Sequence, residues 1–170
     1  MKAVHNILKV CLLMLIVIFN VSVNTYGEEN KVKLIGHRGA SALEPENTIP
    51  SFNKAANVGA WGIEADIYVL RDGNIAVFHD ADVERMTNGM GEIKSMNLLE
   101  VKALNIDGGN NVNNYNNLKI PTLDEYLNCC VENKLTPVIE FKLVNVEKVK
   151  EIVDKIKKYG LEDNTIIIST

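Results

Sequence analysis

Two short patterns in this 170-residue chain set reactive side chains two residues apart: Glu64-x-Asp66 and Glu140-x-Lys142. Each lies in an apolar run, and along a strand residues i and i+2 share a face. Three carboxylates converging at strand ends repel one another unless a positive charge sits between them. Hard oxygen ligands suit Ca²⁺ or Mg²⁺ rather than zinc. His37 closes the first apolar run and His79 the third. Imidazoles at one rim can act as general acid and base near neutral pH. Arg38 offers a planar fork for phosphate oxygens, and Lys142 a point charge. Together these groups suit phosphoryl transfer, where stabilising charge on the equatorial oxygens is most of the task.

The elements that must position them alternate. Val32 to Gly36 reads as a strand, followed by a loop and a helix capped by Asn47 or Thr48, with Pro50 in its first turn and Gly59 as its stop. Residues 62–69 and 74–78 read as strands around Arg71-Asp72-Gly73, a hairpin signal. A two-residue Asp72-Gly73 turn pairs Arg71 with Asn74 and sets Asp66 opposite His79. Asn97 with Glu100 starts a short helix from Leu98 to Leu104, and Thr122 with Glu125 starts one running to about Asn133. The Asn- and Gly-rich stretch 107–117 reads as an exposed, mobile loop. Pro137 to Phe141 is a buried-type strand. Val146, Val149, Ile152, Val153 and Ile156 recur at helical spacing up to Gly160, and residues 165–169 form a last strand. This order predicts a parallel α/β sheet. In a barrel with helices outside, Ile63, Ala65 and Ile67 face outward, which turns Glu64 and Asp66 inward. About five strands are present, whereas a complete (β/α)₈ barrel takes roughly 250 residues; the expectation is a barrel truncated after about five strands.

Composition sets the outer bounds. At 46% hydrophobic and 24% charged residues the chain is globular in type. Lys2 and Lys9, the apolar run Val10 to Phe19 and the polar tail to Gly27 read as a secretory signal peptide over residues 1–27. The run is short for a bilayer span, so a secreted or envelope-associated product with no stable membrane span is expected. Losing Lys2 and Lys9 would move the net charge from −4 to −6, with no basic cluster to form a nucleic-acid footprint. Beyond the leader, Cys129 and Cys130 are adjacent, which gives neither a disulfide framework nor zinc-type spacing.

Gly36-His37-Arg38-Gly39-Ala40, Pro45-Glu46-Asn47-Thr48, Glu64-x-Asp66, His79-Asp80, Thr87-Asn88-Gly89-x-Gly91, Ile120-Pro121-Thr122-Leu123 and Glu140-x-Lys142 follow one another in order. From about Leu34 to Ser169 the chain resembles the glycerophosphodiester phosphodiesterase family. The resemblance implies a TIM-like (β/α) barrel of the phospholipase C-like phosphodiesterase type over residues 28–170, with an inserted segment at about 82–117. It implies hydrolysis of small-molecule glycerophosphodiesters to glycerol 3-phosphate and an alcohol. It makes Glu64, Asp66 and Glu140 ligands of a divalent cation, Ca²⁺ or Mg²⁺, His37 and His79 the acid/base pair, and Arg38 and Lys142 the phosphate holders. Glu46 then lies at the substrate side, orienting Arg38 or the metal shell. The family's last strands are missing, which keeps two alternatives open: a non-catalytic fragment, and a related phospholipase D-like barrel enzyme.

Overall fold

The computed structural model describes residues 32–142 and 146–169; the leader expected at residues 1–27 lies outside them. The elements are β1 (Ile35–Gly36), α1 (Ile49–Asn57), β2 (Gly62–Val69), β3 (Ile75–Val77), α2 (Leu98–Ala103), α3 (Leu123–Asn133), β4 (Thr136–Lys142), α4 (Val146–Lys158) and β5 (Ile166–Ser169). Strands β1, β2, β4 and β5 run parallel in that spatial order, and β3 pairs antiparallel with β2. Among the described residues no helix is long and apolar enough to cross a membrane.

Local chemistry explains the helix starts. Thr48 caps α1 by accepting from the Ser51 N–H, with Pro50 in the first turn. Asn97 with Glu100 and Thr122 with Glu125 form complete capping boxes at α2 and α3. Strand β1 is shorter than its apolar run predicts. The ladder begins at Ile35: the Leu34 carbonyl takes the Gly62 N–H (3.3 Å) as its first bond and is shared with the Trp61 N–H (2.8 Å) from the turn before β2.

The two faces of the sheet part company. Ile63, Ala65, Ile67, Ile139 and Phe141 pack outward against Phe52 and Ala55 of α1, Leu123, Leu127 and Cys130 of α3, and Ile152 and Ile156 of α4. The opposite face carries the acids, then Tyr68, which packs with Ala76, Phe78, Val83, Met86, Ile93 and Ile120 into a second core. The segment from Ala81 to Ile120 therefore roofs one end of the inner face. This is the layout of a (β/α) barrel with its sheet still open. Strand β5 lies at that open side with Ile166, Ile167 and Ile168 exposed. Cys129 and Cys130 are buried free thiols in α3; burial pushes the Cys129 thiol up to about 11 and raises Cys130 further.

One buried polar group ties the central strands. The Tyr126 hydroxyl donates to the Ile63 carbonyl (2.7 Å) and accepts from the Val138 N–H (3.1 Å), joining β2 to β4 from the helical side. Replacing Tyr126 by Phe strands both partners, and a buried unsatisfied group costs about 1–3 kcal/mol. Urea denaturation should show a loss of that size; an unchanged midpoint would remove the hydroxyl from the account.

Candidate active site

The turn after β1 is built to deliver a backbone donor. Arg38 (φ 55°) and Gly39 (φ 80°) are consecutive left-handed residues. A Cβ on Gly39 would lie 2.7 Å from the Ser51 carbonyl carbon, so both sterics and φ require glycine. The Arg38 carbonyl accepts from the Ser51 hydroxyl (3.0 Å) and the Asn47 N–H (3.0 Å). On the other side of the Arg38 Cα, its N–H donates to Glu64 Oε2 at 2.7 Å. His37 projects outward, 70% exposed, with Nε2 at 3.9 Å from the same oxygen.

Strand register assembles the acids. Asp66 is the Cα partner of Glu140 and Tyr68 that of Lys142, so all four stand on the inner face with Glu64 one step below. Ligand oxygens of Glu64, Asp66 and Glu140 lie within 4.8 Å of one another. Asp66 is fully buried. Its Oδ2 accepts from Asn47 Nδ2 at 2.9 Å and lies 3.5 Å from Arg38 Nε, while Oδ1 faces the Lys142 ammonium at 3.2 Å without a well-directed hydrogen bond. Lys142 also pairs with Glu140 at 2.5 Å. Glu64 Oε1 is buried with no hydrogen-bond partner among the described residues. Burial, reinforced by the charges of Asp66 and Glu140, pushes the Glu64 carboxyl up to about 7. An orphaned carboxylate oxygen beside two further acids is the donor set a hard divalent cation takes. The residues fit that group.

The hairpin register differs from the sequence expectation by one residue. Leu70, rather than Arg71, bonds with Asn74, and Ile67 pairs with Val77. The loop holds three residues, Arg71, Asp72 and Gly73, with Gly73 at φ 84° and Asp72 accepting from the N–H groups of Asn74 and Leu98. Asp66 therefore faces Phe78, whose N–H bonds the Asp66 carbonyl at 2.9 Å, and His79 reaches the rim from the loop beyond β3. There it lines an open cleft of about 540 Å³ with Tyr68, Asp80, Asp82, Arg85 and Lys142.

His79 does not stand alone. Its Nδ1 lies 2.6 Å from Asp80 Oδ1, and Arg85 Nε donates to Asp80 Oδ2. Arg85 also clasps Glu46, with Nη2 2.6 Å from Oε1, and Glu46 accepts from Arg38 Nη1 at 3.1 Å. Arg85, with the His79 contact adding to it, holds the Asp80 carboxyl below its usual range despite partial burial. Burial works to raise Glu46, but Arg85 and Arg38 together hold it low. Glu46 thus anchors cations and offers phosphate nothing directly, which agrees with orienting Arg38. The structure adds three residues to which sequence reasoning gave no site role. Asn47 grips Asp66 and Asp80 grips His79; both sit inside motifs already singled out. Arg85 carried no signal beyond being a cation near the third strand.

Strand-end acids, a guanidinium and an ammonium meet at the inner rim of an open (β/α) barrel, with His37 close to Glu64 and His79 in the same cleft as Lys142. The chain belongs to the Glycerophosphoryl diester phosphodiesterase family, whose pattern it matches over residues 37–169. A glycerophosphodiester phosphodiesterase of Caldanaerobacter subterraneus subsp. tengcongensis is 38% identical over 143 residues, 82% of this chain and 58% of that protein. The crystal structure of a glycerophosphodiester phosphodiesterase from Agrobacterium tumefaciens superposes with a TM-score of 0.73 at 31% identity, covering 82% of this chain and 58% of that one. A phosphodiesterase of Oleispira antarctica, solved with its product sn-glycerol-3-phosphate, gives 0.70 at 30% identity, covering 81% and 57%. The chain therefore spans a little over half the length of these relatives.

The raised Glu64 carboxyl makes stability pH-dependent. Between its ordinary value of 4.5 and about 7 the folded state keeps a proton that the unfolded chain has lost. Stability of the metal-free protein should then fall as pH rises through that window. Urea midpoints across it check this, and Glu64→Gln should flatten the slope. A flat profile in the unsubstituted chain would show Glu64 ionised throughout.

Proposed function

We propose that this chain carries the acid, phosphate-holding and proton-transferring groups of a divalent-cation-dependent enzyme that hydrolyses glycerophosphodiesters to glycerol 3-phosphate and an alcohol. The observation that carries the reading is the convergence of Glu64, Asp66 and Glu140 beneath Arg38 and Lys142, within a family match that includes both histidines. The glycerol 3-phosphate bound to the Oleispira antarctica relative supports this substrate class.

Glu64, Asp66 and Glu140 would hold Ca²⁺ or Mg²⁺, which when bound supplies charge neutralisation at the phosphoryl oxygens. The chain's own residues do the rest. Arg38, braced by Glu46, presents its fork to phosphate oxygens, and Lys142 adds a point charge. One imidazole takes the proton from the attacking oxygen as its bond to phosphorus forms. The other returns a proton to the alcohol oxygen as its bond to phosphorus breaks. The Asp80 carboxylate can only accept, so His79 Nδ1 carries hydrogen and Nε2 is the nitrogen left for exchange.

The basic, apolar N-terminus supports export, with a leader over residues 1–27 and a mature domain over 28–170 that includes the segment at about 82–117. Exposed Ile166, Ile167 and Ile168 on β5 favour a second reading, in which the chain binds substrate without turnover by itself.

Chelation should abolish glycerophosphocholine hydrolysis, and Ca²⁺ or Mg²⁺ should restore it. Equal rates with and without chelator would end the metal role. Replacing His37 or His79 by Ala should each lower kcat by about 10²-fold or more if each moves a proton; a drop confined to one histidine would leave the other a bystander. Calorimetric binding of glycerol 3-phosphate with no measurable turnover would select the second reading.

A further inference from the structure

We infer that Arg85 is a positioning residue, a strut that fixes the His79 imidazole and the Arg38 guanidinium at once. The inference rests on the phosphodiesterase reading above and deepens it.

The contacts form one line. His79 Nδ1 meets Asp80 at 2.6 Å, Arg85 bridges Asp80 and Glu46, and Glu46 holds Arg38, whose Nε lies 3.5 Å from Asp66. Three N–H groups of one guanidinium serve two carboxylates, with Nη1 to Glu46 Oε2 at 3.4 Å completing the fork. Isolated exposed ion pairs contribute little, but a forked guanidinium between two acids gains geometric specificity. Arg85 is half exposed, so its worth lies in direction more than in stability.

The platform under Arg85 is firm. Its neighbours Val83 and Met86 are buried in the second core, and the Thr87 N–H and hydroxyl both donate to the Val83 carbonyl (3.0 and 2.9 Å). The Met86 carbonyl accepts from Asp107 and Gly108. A guanidinium projected from this turn has a defined place, and through it Asp80 and Glu46 acquire theirs. Without Arg85, the Asp80 side chain is free to turn to water and the hydrogen on the His79 ring is no longer assigned to Nδ1. Glu46 then keeps Arg38 as its remaining cation. Proton transfer and phosphate holding should deteriorate together.

The test uses Arg85→Met, which keeps the apolar stem, and Arg85→Lys, which keeps the charge but loses the fork. Long-range ¹H–¹⁵N spectra of the full chain read the His79 tautomer without reference to activity. The unsubstituted protein should show hydrogen on Nδ1, and Arg85→Met a mixture of both tautomers. A single Nδ1–H form in Arg85→Met would overturn the strut; Arg85→Gln gives the same readout if the Met variant does not fold. Kinetically, Arg85→Met should lower kcat about tenfold or more and also raise KM, with Arg85→Lys recovering only part. Asp80→Asn should cost far less in the Arg85→Met background than alone, whereas additive losses would show independent roles and overturn the inference. A wild-type chain that cleaves no glycerophosphodiester would refute the phosphodiesterase reading, and the ring signature would still decide the strut.

Discussion

Mutual repulsion among Glu64, Asp66 and Glu140 is the constraint around which the rest is arranged. Their oxygens lie within 4.8 Å of one another, and two of the three side chains are almost wholly buried. Bringing like charges out of water and together is costly unless donors and cations compensate. The chain recruits compensation from separate elements: a backbone N–H from the turn after β1, an amide from Asn47, a guanidinium from Arg38 and an ammonium from Lys142. Two oxygens, Glu64 Oε1 and Asp66 Oδ1, lack a hydrogen bond among the described residues; Asp66 Oδ1 still faces the Lys142 ammonium, so Glu64 Oε1 marks where the compensation is thinnest.

The fold makes such a cluster tolerable by separating two tasks across one sheet. Outward residues of β2 and β4 bury against α1, α3 and α4, so stability is built on the far side from the acids. On the inner side, β3 and the segment after it seal the end near Tyr68 with apolar packing and leave the rim open at His79 and Lys142. Side chains two apart share one face and those between them the other, so the same strand serves core and site.

Much of this was legible in the residues. The bounds of β2, the caps of α2 and α3 and the inward turn of Glu64 and Asp66 follow from period and from capping chemistry, which act over a few residues; for α1 the residues leave the choice between Asn47 and Thr48 open, and Thr48 is the cap. The hairpin register did not follow, because Asp-Gly fits a two-residue turn and also the last two places of a three-residue loop. Asp72's grip on Leu98 favours the latter, and that is a tertiary contact. Asn47 reads as a helix-cap candidate, while its use is to hold Asp66 from a left-handed backbone. Arg85 was invisible for a similar reason. Its partners come from two loops that meet only in three dimensions. The Asn-rich stretch is largely exposed, as it reads, and Asn110, Asn111 and Tyr115 bond back to Ser41, Leu43 and Glu44, contacts that no local pattern announces.

The pairing of β2 with β4 has a consequence for how the molecule comes into being. Asp66 and Glu140 are neighbours across a parallel ladder, yet the hairpin, the roofing segment and α3 all lie between them in the chain. Closing so long a loop is slow and gains nothing until β4 docks. During synthesis at the ribosome, the half-site of Glu64 and Asp66 would emerge well before Glu140 does. A cation bound by all three acids would then report that β4 has joined β2, and its uptake would time that one step of folding.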